Sequence, residues 1–271
     1  MPTPYDIFMN PVAWTCMAIY AVLMLWEALF PARRLPHVPF WQLRGLASFV
    51  CYFMLASYLP LWWDAGLAQY RLLDLGWGPV WAQAALGLLV YEFFLYCWHR
   101  ALHSNTVLWR VFHQMHHSAE RLDTFGAFWF SPADMAAFTF VSSFALAFVL
   151  GVSPEAATWV LYATFFLGIF QHANIRTPPW LGYVVQRPES HSRHHGKGLH
   201  RDNYSDLPLY DMLFGTFHNP QRHRDNGFYQ GASGRVLDML LWRDVAEPRA
   251  PALPDVMPAE GWKRPQPSGI E

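Results

Sequence analysis

Charge is what this chain has least of. Asp, Glu, Lys and Arg make up 14% of 271 residues, against about a quarter in soluble domains, while 53% of the residues are hydrophobic and 17% aromatic. So little charge cannot cover a soluble surface of this size, and the composition is that of a membrane protein. The net charge of −1 gives no attraction for nucleic acid or another polyanion. Cysteine is also scarce. Cys16, Cys51 and Cys97 each sit inside an apolar run, which excludes a disulfide framework and reads as small hydrophobes. The opening MPTPYDIFMN has no basic segment and contains an acid, so no cleavable signal is expected and the first apolar run is read as a mature span.

Long apolar runs are what the chain has instead. They cover about Pro11 to Phe30, Gly45 to Trp63, Val80 to His99, Ser131 to Val152 and Pro154 to Phe170. The expected fold is all-α: an integral membrane bundle of four to five spans with a histidine-rich helical cap. Arg33 and Arg34, Arg100 and Arg110 lie at one set of ends, which the distribution of basic residues assigns to the cytoplasm. Five spans would leave the N-terminus outside. From Arg176 onward Pro and Gly punctuate a polar segment read as short helices and loops, and Ser233 to Val245 reads as an amphipathic piece for the headgroup plane. Residues 1–246 are read as one membrane-embedded domain, and the Pro-rich 247–271 as an extended or disordered tail.

Histidine is the residue in excess, with 13 copies. HRALH (His99, His103) continues the third span, HQMHH (His113, His116, His117) follows, QHANI (His172) ends the fifth span, and HSRHH (His191, His194, His195) lies in the polar segment. Residues three and four apart share a helix face, so each cluster presents neighbouring imidazoles. Two HxxHH motifs arise by chance in such a composition roughly once in a thousand chains or less. Neutral imidazole suits Fe, Zn, Cu or Ni, and no cysteine offers a softer donor. Nine histidines exceed what one ion can use and suit two. Glu92, seven residues before His99, would cost about 2.5 to 3.5 kcal/mol if charged at membrane depth, so it is read either as a solvated helix-end acid or as an acceptor that fixes a histidine tautomer.

In this order, and around hydrophobic spans, HRALH, HQMHH, QHANI and HSRHH resemble the integral-membrane fatty acid hydroxylase and sterol desaturase superfamily. His200-Arg-Asp-Asn-Tyr204 and Asp211-Met-Leu-Phe-Gly-Thr216 extend the likeness, which covers about Glu92 to Phe217. The resemblance implies a non-haem centre of two irons at the cytosolic membrane face, with zinc able to stand in for iron in a purified form. It implies O2-dependent hydroxylation or desaturation of a lipid, with electrons from an NAD(P)H reductase through a carrier such as cytochrome b5 or a ferredoxin. By position it makes His99, His103, His113, His116, His117, His172, His191, His194 and His195 ligands, with His200 as a tenth. Some members carry a second histidine where this chain has Arg176, a gap that Asn174 would fill through a water or that would leave one metal a ligand short. Glu92, Asn174, Asn203, Tyr204 and Asp211 are the candidate outer partners, with a folding role the alternative for Tyr204 and Asp211. His37, His218 and His223 read as loop residues.

Two other classes fit less well. A zinc protease needs a general base beside the metal, as the Glu of HExxH supplies, and HRALH has none. A bis-histidine haem protein or a metal transporter would place its ligands within spans, whereas these lie at or past their ends.

Overall fold

Three of the five apolar runs start as a helix where a polar side chain caps it and a proline follows. Asn10, Ser131 and Ser153 accept hydrogen bonds from the main-chain N–H of Val12, Asp134 and Ala156 at 2.8, 3.1 and 3.3 Å, and Pro11, Pro132 and Pro154 come next, where a missing N–H costs nothing. The computed structural model describes residues 1–248; the tail expected from 247 onward lies outside them but for its first two residues. Among the described residues the chain is helical and contains no strand beyond one isolated bridge between Gly196 and Asn226.

The membrane helices are α1 (Pro11–Leu29), α2 (Trp41–Tyr58) with its continuation α3 (Pro60–Gln69), α4 (Val80–Ser104), α5 (Pro132–Ser143, prolonged as a π-helix over Phe144–Leu150) and α6 (Pro154–His172). Four of these segments are long and apolar enough to cross a membrane: Pro11–Leu29, Trp41–Gln69, Val80–Ser104 and Pro132–Leu150. The protein is therefore a multi-pass membrane protein. The fifth expected run forms α6, a helix of 19 residues that packs along α4 and α1 and is richer in polar side chains than the others. It returns the chain to the end of the bundle where α4 delivers His99.

Aromatic rings fill the bundle interior. Tyr20, Phe49, Phe128 and Phe165, from α1, α2, the 118–131 loop and α6, lie with ring centroids 4.7 to 6.3 Å apart, the range in which aromatic pairs attract. At the far end the 70–78 loop donates N–H groups of Leu72, Leu73 and Leu75 to the carbonyls of Phe148, Val149 and Leu150, which α5 leaves unpaired where it ends. Gly151 makes this possible: its φ of +57° is left-handed, and a Cβ there would lie 2.4 Å from the Leu73 carbonyl oxygen.

At the histidine end, loops are tied to helices by buried carboxylates. Glu27 on α1 accepts the main-chain N–H of both Thr124 and Asn174 at 2.8 and 3.0 Å. Asp123 accepts the indole N–H of the wholly buried Trp41 at 2.8 Å. The cap over this end is built of short pieces, as the polar segment implied: Pro179–Tyr183 in a 3-10 turn, α7 (Pro188–His194), α8 (Leu209–Leu213) and α9 (Val236–Leu240). The amphipathic segment expected over Ser233 to Val245 has only that last short helix, with Leu237, Leu241 and Trp242 exposed beside it.

Candidate metal centre

Histidines separated by up to 96 residues meet where α4, the 106–117 segment, α6 and α7 converge. The 106–117 segment is α-helical over Thr106–Leu108, widens to a π-helix over Trp109–His113 and tightens again over Gln114–His117. Its three histidines divide: His113 and His117, four residues apart on the α-helical end and so on one face, join one group, and His116 joins the other. The first group is His99, His103, His113, His117 and His194; the second is His116, His172, His191 and His195. Within each, one donor atom per residue lies within 4.8 Å of the rest. The groups touch, because the ring of His117 stacks on that of His195 with centroids 4.0 Å apart and planes 13° from parallel.

The ring nitrogens are placed as donors to a cation and not as partners of one another. Nε2 of His99 lies 2.9 Å from Nε2 of His113, and Nε2 of His172 lies 3.1 Å from His116 and 3.0 Å from His191, itself 3.1 Å from His195. Metal–nitrogen bonds of about 2.0 to 2.1 Å at angles between a right angle and tetrahedral separate neighbouring nitrogens by about 2.9 to 3.4 Å, so these spacings suit shared ions. In addition Nε2 of His103, His117 and His194 is buried with no hydrogen-bond partner, a costly arrangement for polar atoms unless something binds them. The donor set fits two transition-metal ions.

The opposite nitrogen of most rings is held by the protein, which fixes the tautomer that turns Nε2 inward. His99 Nδ1 donates to the carbonyl of Tyr204 at 2.6 Å, His103 Nδ1 to that of His200 at 2.8 Å, His194 Nδ1 to that of Asp202 at 2.7 Å and His172 Nδ1 to that of Gly168 at 2.6 Å. Three of these carbonyls come from one loop, 200–204, whose backbone is left-handed at His200, Asp202 and Asn203 (φ of 44°, 71° and 51°). Non-glycine residues adopt that conformation at a cost of about 1 kcal/mol or more each. Asn203 maintains it: its side chain donates to the carbonyls of Ser190 and His218 and accepts the N–H of His218. Asp211 accepts the N–H groups of Tyr204 and Ser205 at 2.8 and 3.0 Å. Asn203, Tyr204 and Asp211 thus aim main-chain acceptors at imidazoles, Asp211 acting only through the loop.

His113 differs. Its Nδ1 meets the Asp134 carboxylate at 2.7 Å, with the two side chains 1% and 0% exposed. Sequence reasoning missed Asp134. The signal was present: an acid in the first turn of an otherwise apolar span, 21 residues after a histidine cluster, is as anomalous as Glu92.

Three expectations change. Glu92 does not bond a histidine. Seven residues of helix, about 10 Å, separate it from His99, and its Oε2 instead accepts the N–H groups of Asp206 and Leu207, anchoring the loop that continues from Tyr204. His200 lies outside both groups; its left-handed backbone directs the carbonyl to His103 and the ring to His117, whose Nδ1 is 3.1 Å from His200 Nδ1. Asn174 faces away from the nitrogens: its Nδ2 donates to the Arg33 carbonyl at 2.7 Å, which ties α6 to the chain following α1. His37, His218 and His223 are in neither group.

Burial among like groups pushes the imidazoles of His113, His116, His117, His191, His194 and His195 well below the ordinary histidine range, desolvation being the largest cause, and pushes His200 down to about 4. All are neutral near pH 7, the form that binds metal. A cavity of about 140 Å³ opens beside them, lined by His99, His113, His116, His172 and His191 and closed by Phe128, Phe130 and Phe138. It touches members of both groups and is otherwise mostly apolar.

Residues 84–216 match the fatty acid hydroxylase family model. The chain carries a fatty acid hydroxylase domain. The nine histidines of the four clusters, and His200, fall inside it, and the resemblance drawn from those clusters holds. The chain is 35% identical over 175 residues to ornithine lipid hydroxylase OlsE of Rhizobium tropici, covering 63% of this chain and 51% of that protein. It is 29% identical over 174 residues to alkylglycerol monooxygenase of Caenorhabditis elegans, covering 62% and 32%. It is 30% identical over 159 residues to fatty acid hydroxylase vlmA of a Lecanicillium species, covering 50% and 43%. The chain therefore spans about half or less of the length of these relatives. No solved structure matches it. These three relatives are named as hydroxylases or monooxygenases.

Proposed function

We propose that this protein is a membrane-bound diiron oxygenase that hydroxylates an unactivated carbon of a lipid: R–H, O2, two electrons and two protons give R–OH and water. The observation that carries the reading is the pair of all-histidine groups in contact through the stacked rings of His117 and His195 and opening on one mostly apolar cavity. His99, His103, His113, His117 and His194 would hold one iron, and His116, His172, His191 and His195 the other. When bound, the irons supply the redox chemistry that reduces O2 and oxidises a carbon–hydrogen bond. The protein's part is to hold Nε2 of His99, His103, His113, His172 and His194 inward through an acceptor at Nδ1, to keep the histidine donors neutral with one carboxylate, Asp134, behind them, and to present the substrate carbon in a pocket closed by phenylalanines, where bulk water is excluded.

The lipid enters from the bilayer. The two electrons come from an NAD(P)H reductase through a carrier such as cytochrome b5 or a ferredoxin. The basic residues at the histidine end, Arg33, Arg34, Arg100 and Arg110, support a cytoplasmic side for that end. Residues 1–246 act as one domain. Lipid extracts from cells with and without the gene test the reading by mass spectrometry: a gene-dependent lipid heavier by one oxygen, with about two non-haem irons per purified chain, is expected. A protein with zinc and peptidase activity, or with a Soret band, overturns it.

A further inference from the structure

The cavity at the histidines is not wholly apolar. Beyond the imidazoles, its lining includes Gln171 and Asp206, 6% and 8% exposed. Gln171 Nε2 donates to Asp206 Oδ1 at 2.7 Å, and the N–H of Asp206 is spent on Glu92. That leaves Gln171 Oε1 buried with no partner, and Asp206 Oδ2 makes no hydrogen bond among the described residues. An amide oxygen can only accept, so Gln171 calls for a donor. Burial pushes the Asp206 carboxyl up to about 7, so its free oxygen can accept from a hydroxyl when ionised and donate to one when protonated. A hydroxyl suits both positions: its one proton goes to Gln171 Oε1 and its oxygen accepts from Asp206 when that acid is protonated. A carboxylate or phosphate suits neither, since it brings no proton for Gln171 and repels Asp206.

The same cavity continues away from the histidines. Tyr52, Ala56, Tyr91, Phe138, Leu161 and Thr164 line both it and a second cavity of about 810 Å³, which reaches the opposite end of the bundle at Asp64, Arg71 and Asp74. Its volume is within the range that takes ligands of some hundreds of daltons.

We propose that Gln171 and Asp206 recognise a hydroxyl carried by the lipid close to its reacting carbon, with the hydrocarbon tail running past Tyr91 and Leu161 into the second cavity. The inference rests on the oxygenase reading only in calling that carbon the reacting one. Lipids with the hydroxyl are the substrates, and anionic head groups stay outside this pocket.

The test uses the full-length, iron-loaded protein in detergent micelles and four probes: methyl hexadecanoate, its 2-hydroxy and 3-hydroxy derivatives, and free hexadecanoate. Calorimetric titration is expected to show one hydroxy ester binding at least about tenfold tighter than the plain ester, the worth of one well-made hydrogen bond to a group of this kind, and free hexadecanoate binding more weakly than the plain ester. Gln171→Met, which keeps the length and loses the acceptor, is expected to narrow the gap to within about threefold. Leu161→Trp is expected to weaken hexadecyl esters about tenfold more than octyl esters. Equal affinity of the plain and hydroxy esters in the unmutated protein overturns the proposal without need of any variant. A gap that survives Gln171→Met overturns the assignment of the recognising residue, and equal loss for both chain lengths overturns the tail's path. A hydroxyl preference without any oxygenated product under reductant and O2 overturns the oxygenase reading and supports the recognition site, whereas oxygenated product without the preference does the reverse.

Discussion

Asp134 supplies the most discriminating test of the metal centre. Its carboxylate is fully buried, its Oδ2 accepts from His113, and its Oδ1 has no partner. A buried carboxylate beside neutral imidazoles is costly in an empty site, because half of its hydrogen-bonding capacity is unused and no cation faces it. With two divalent ions behind His113 the same carboxylate is favourable, since it makes that imidazole more basic and neutralises part of the charge. Replacing it by Asn keeps the volume and one acceptor but removes the charge. Loss of such an outer partner commonly lowers metal affinity by about 10- to 100-fold, which is about 1.4 to 2.7 kcal/mol of binding free energy. In the metal-free protein the change should be close to neutral, or stabilising, because it removes an uncompensated charge. Asp134→Asn is thus expected to lower the melting temperature of the iron-loaded protein and to leave that of the chelator-treated protein unchanged or higher, with faster iron loss to a competing chelator. The assay is thermal unfolding in detergent with and without iron, together with iron release followed by absorbance. An equal loss of stability in both forms, with unchanged iron release, would refute the claim that Asp134 acts through a metal.

The remaining predictions address the groups, the fold and pH. His172→Ala is expected to reduce iron toward one ion per chain, read by elemental analysis, because it removes a donor from the four-membered group only; His99→Ala acts on the five-membered group and should leave more iron behind. Gly45→Ala places a Cβ 2.3 Å from the Phe125 carbonyl oxygen and is expected to cost about 1 to 3 kcal/mol, seen as a lower denaturation midpoint. Trp41→Phe removes the buried indole N–H from Asp123 and is expected to cost about 1 to 3 kcal/mol, the worth of one hydrogen bond to a charged group, since Arg121 and the Gly126 N–H still hold the carboxylate. The metal-free protein should lose stability as pH falls. His200 is neutral in the fold down to about 4 but takes a proton near 6.5 when unfolded. The unfolded chain therefore binds more protons between those values, and stability is present above about 6.5 and declines as pH drops toward 4; unfolding midpoints across that window, insensitive to pH, would contradict it.

Much of this protein was legible from the order of its residues. Apolar runs of about 20 residues can satisfy their main chain in a bilayer only as helices, so the spans are a local property, and the capping residues before Pro11, Pro132 and Pro154 mark where they begin. The histidine clusters were equally visible, because residues three and four apart are neighbours on any helix. What no spacing rule reaches is which histidines of the other clusters join His113 and His117 and which join His116, or the placing of His194 with the first group and His195 with the second. Nor does sequence show which groups hold most of the imidazoles: for His99, His103 and His194 they are main-chain carbonyls of a left-handed loop, held by hydrogen bonds that Asn203 donates and Asp211 accepts, so their identity as residues carries no signal. Glu92 and His200 were misplaced for the same reason, since polarity at a position reveals that a partner exists and only the packed chain decides which one. Helices and clusters follow from contacts a few residues apart; the sharing of donors between two ions follows from contacts up to about a hundred residues apart, and those exist only once the bundle has closed.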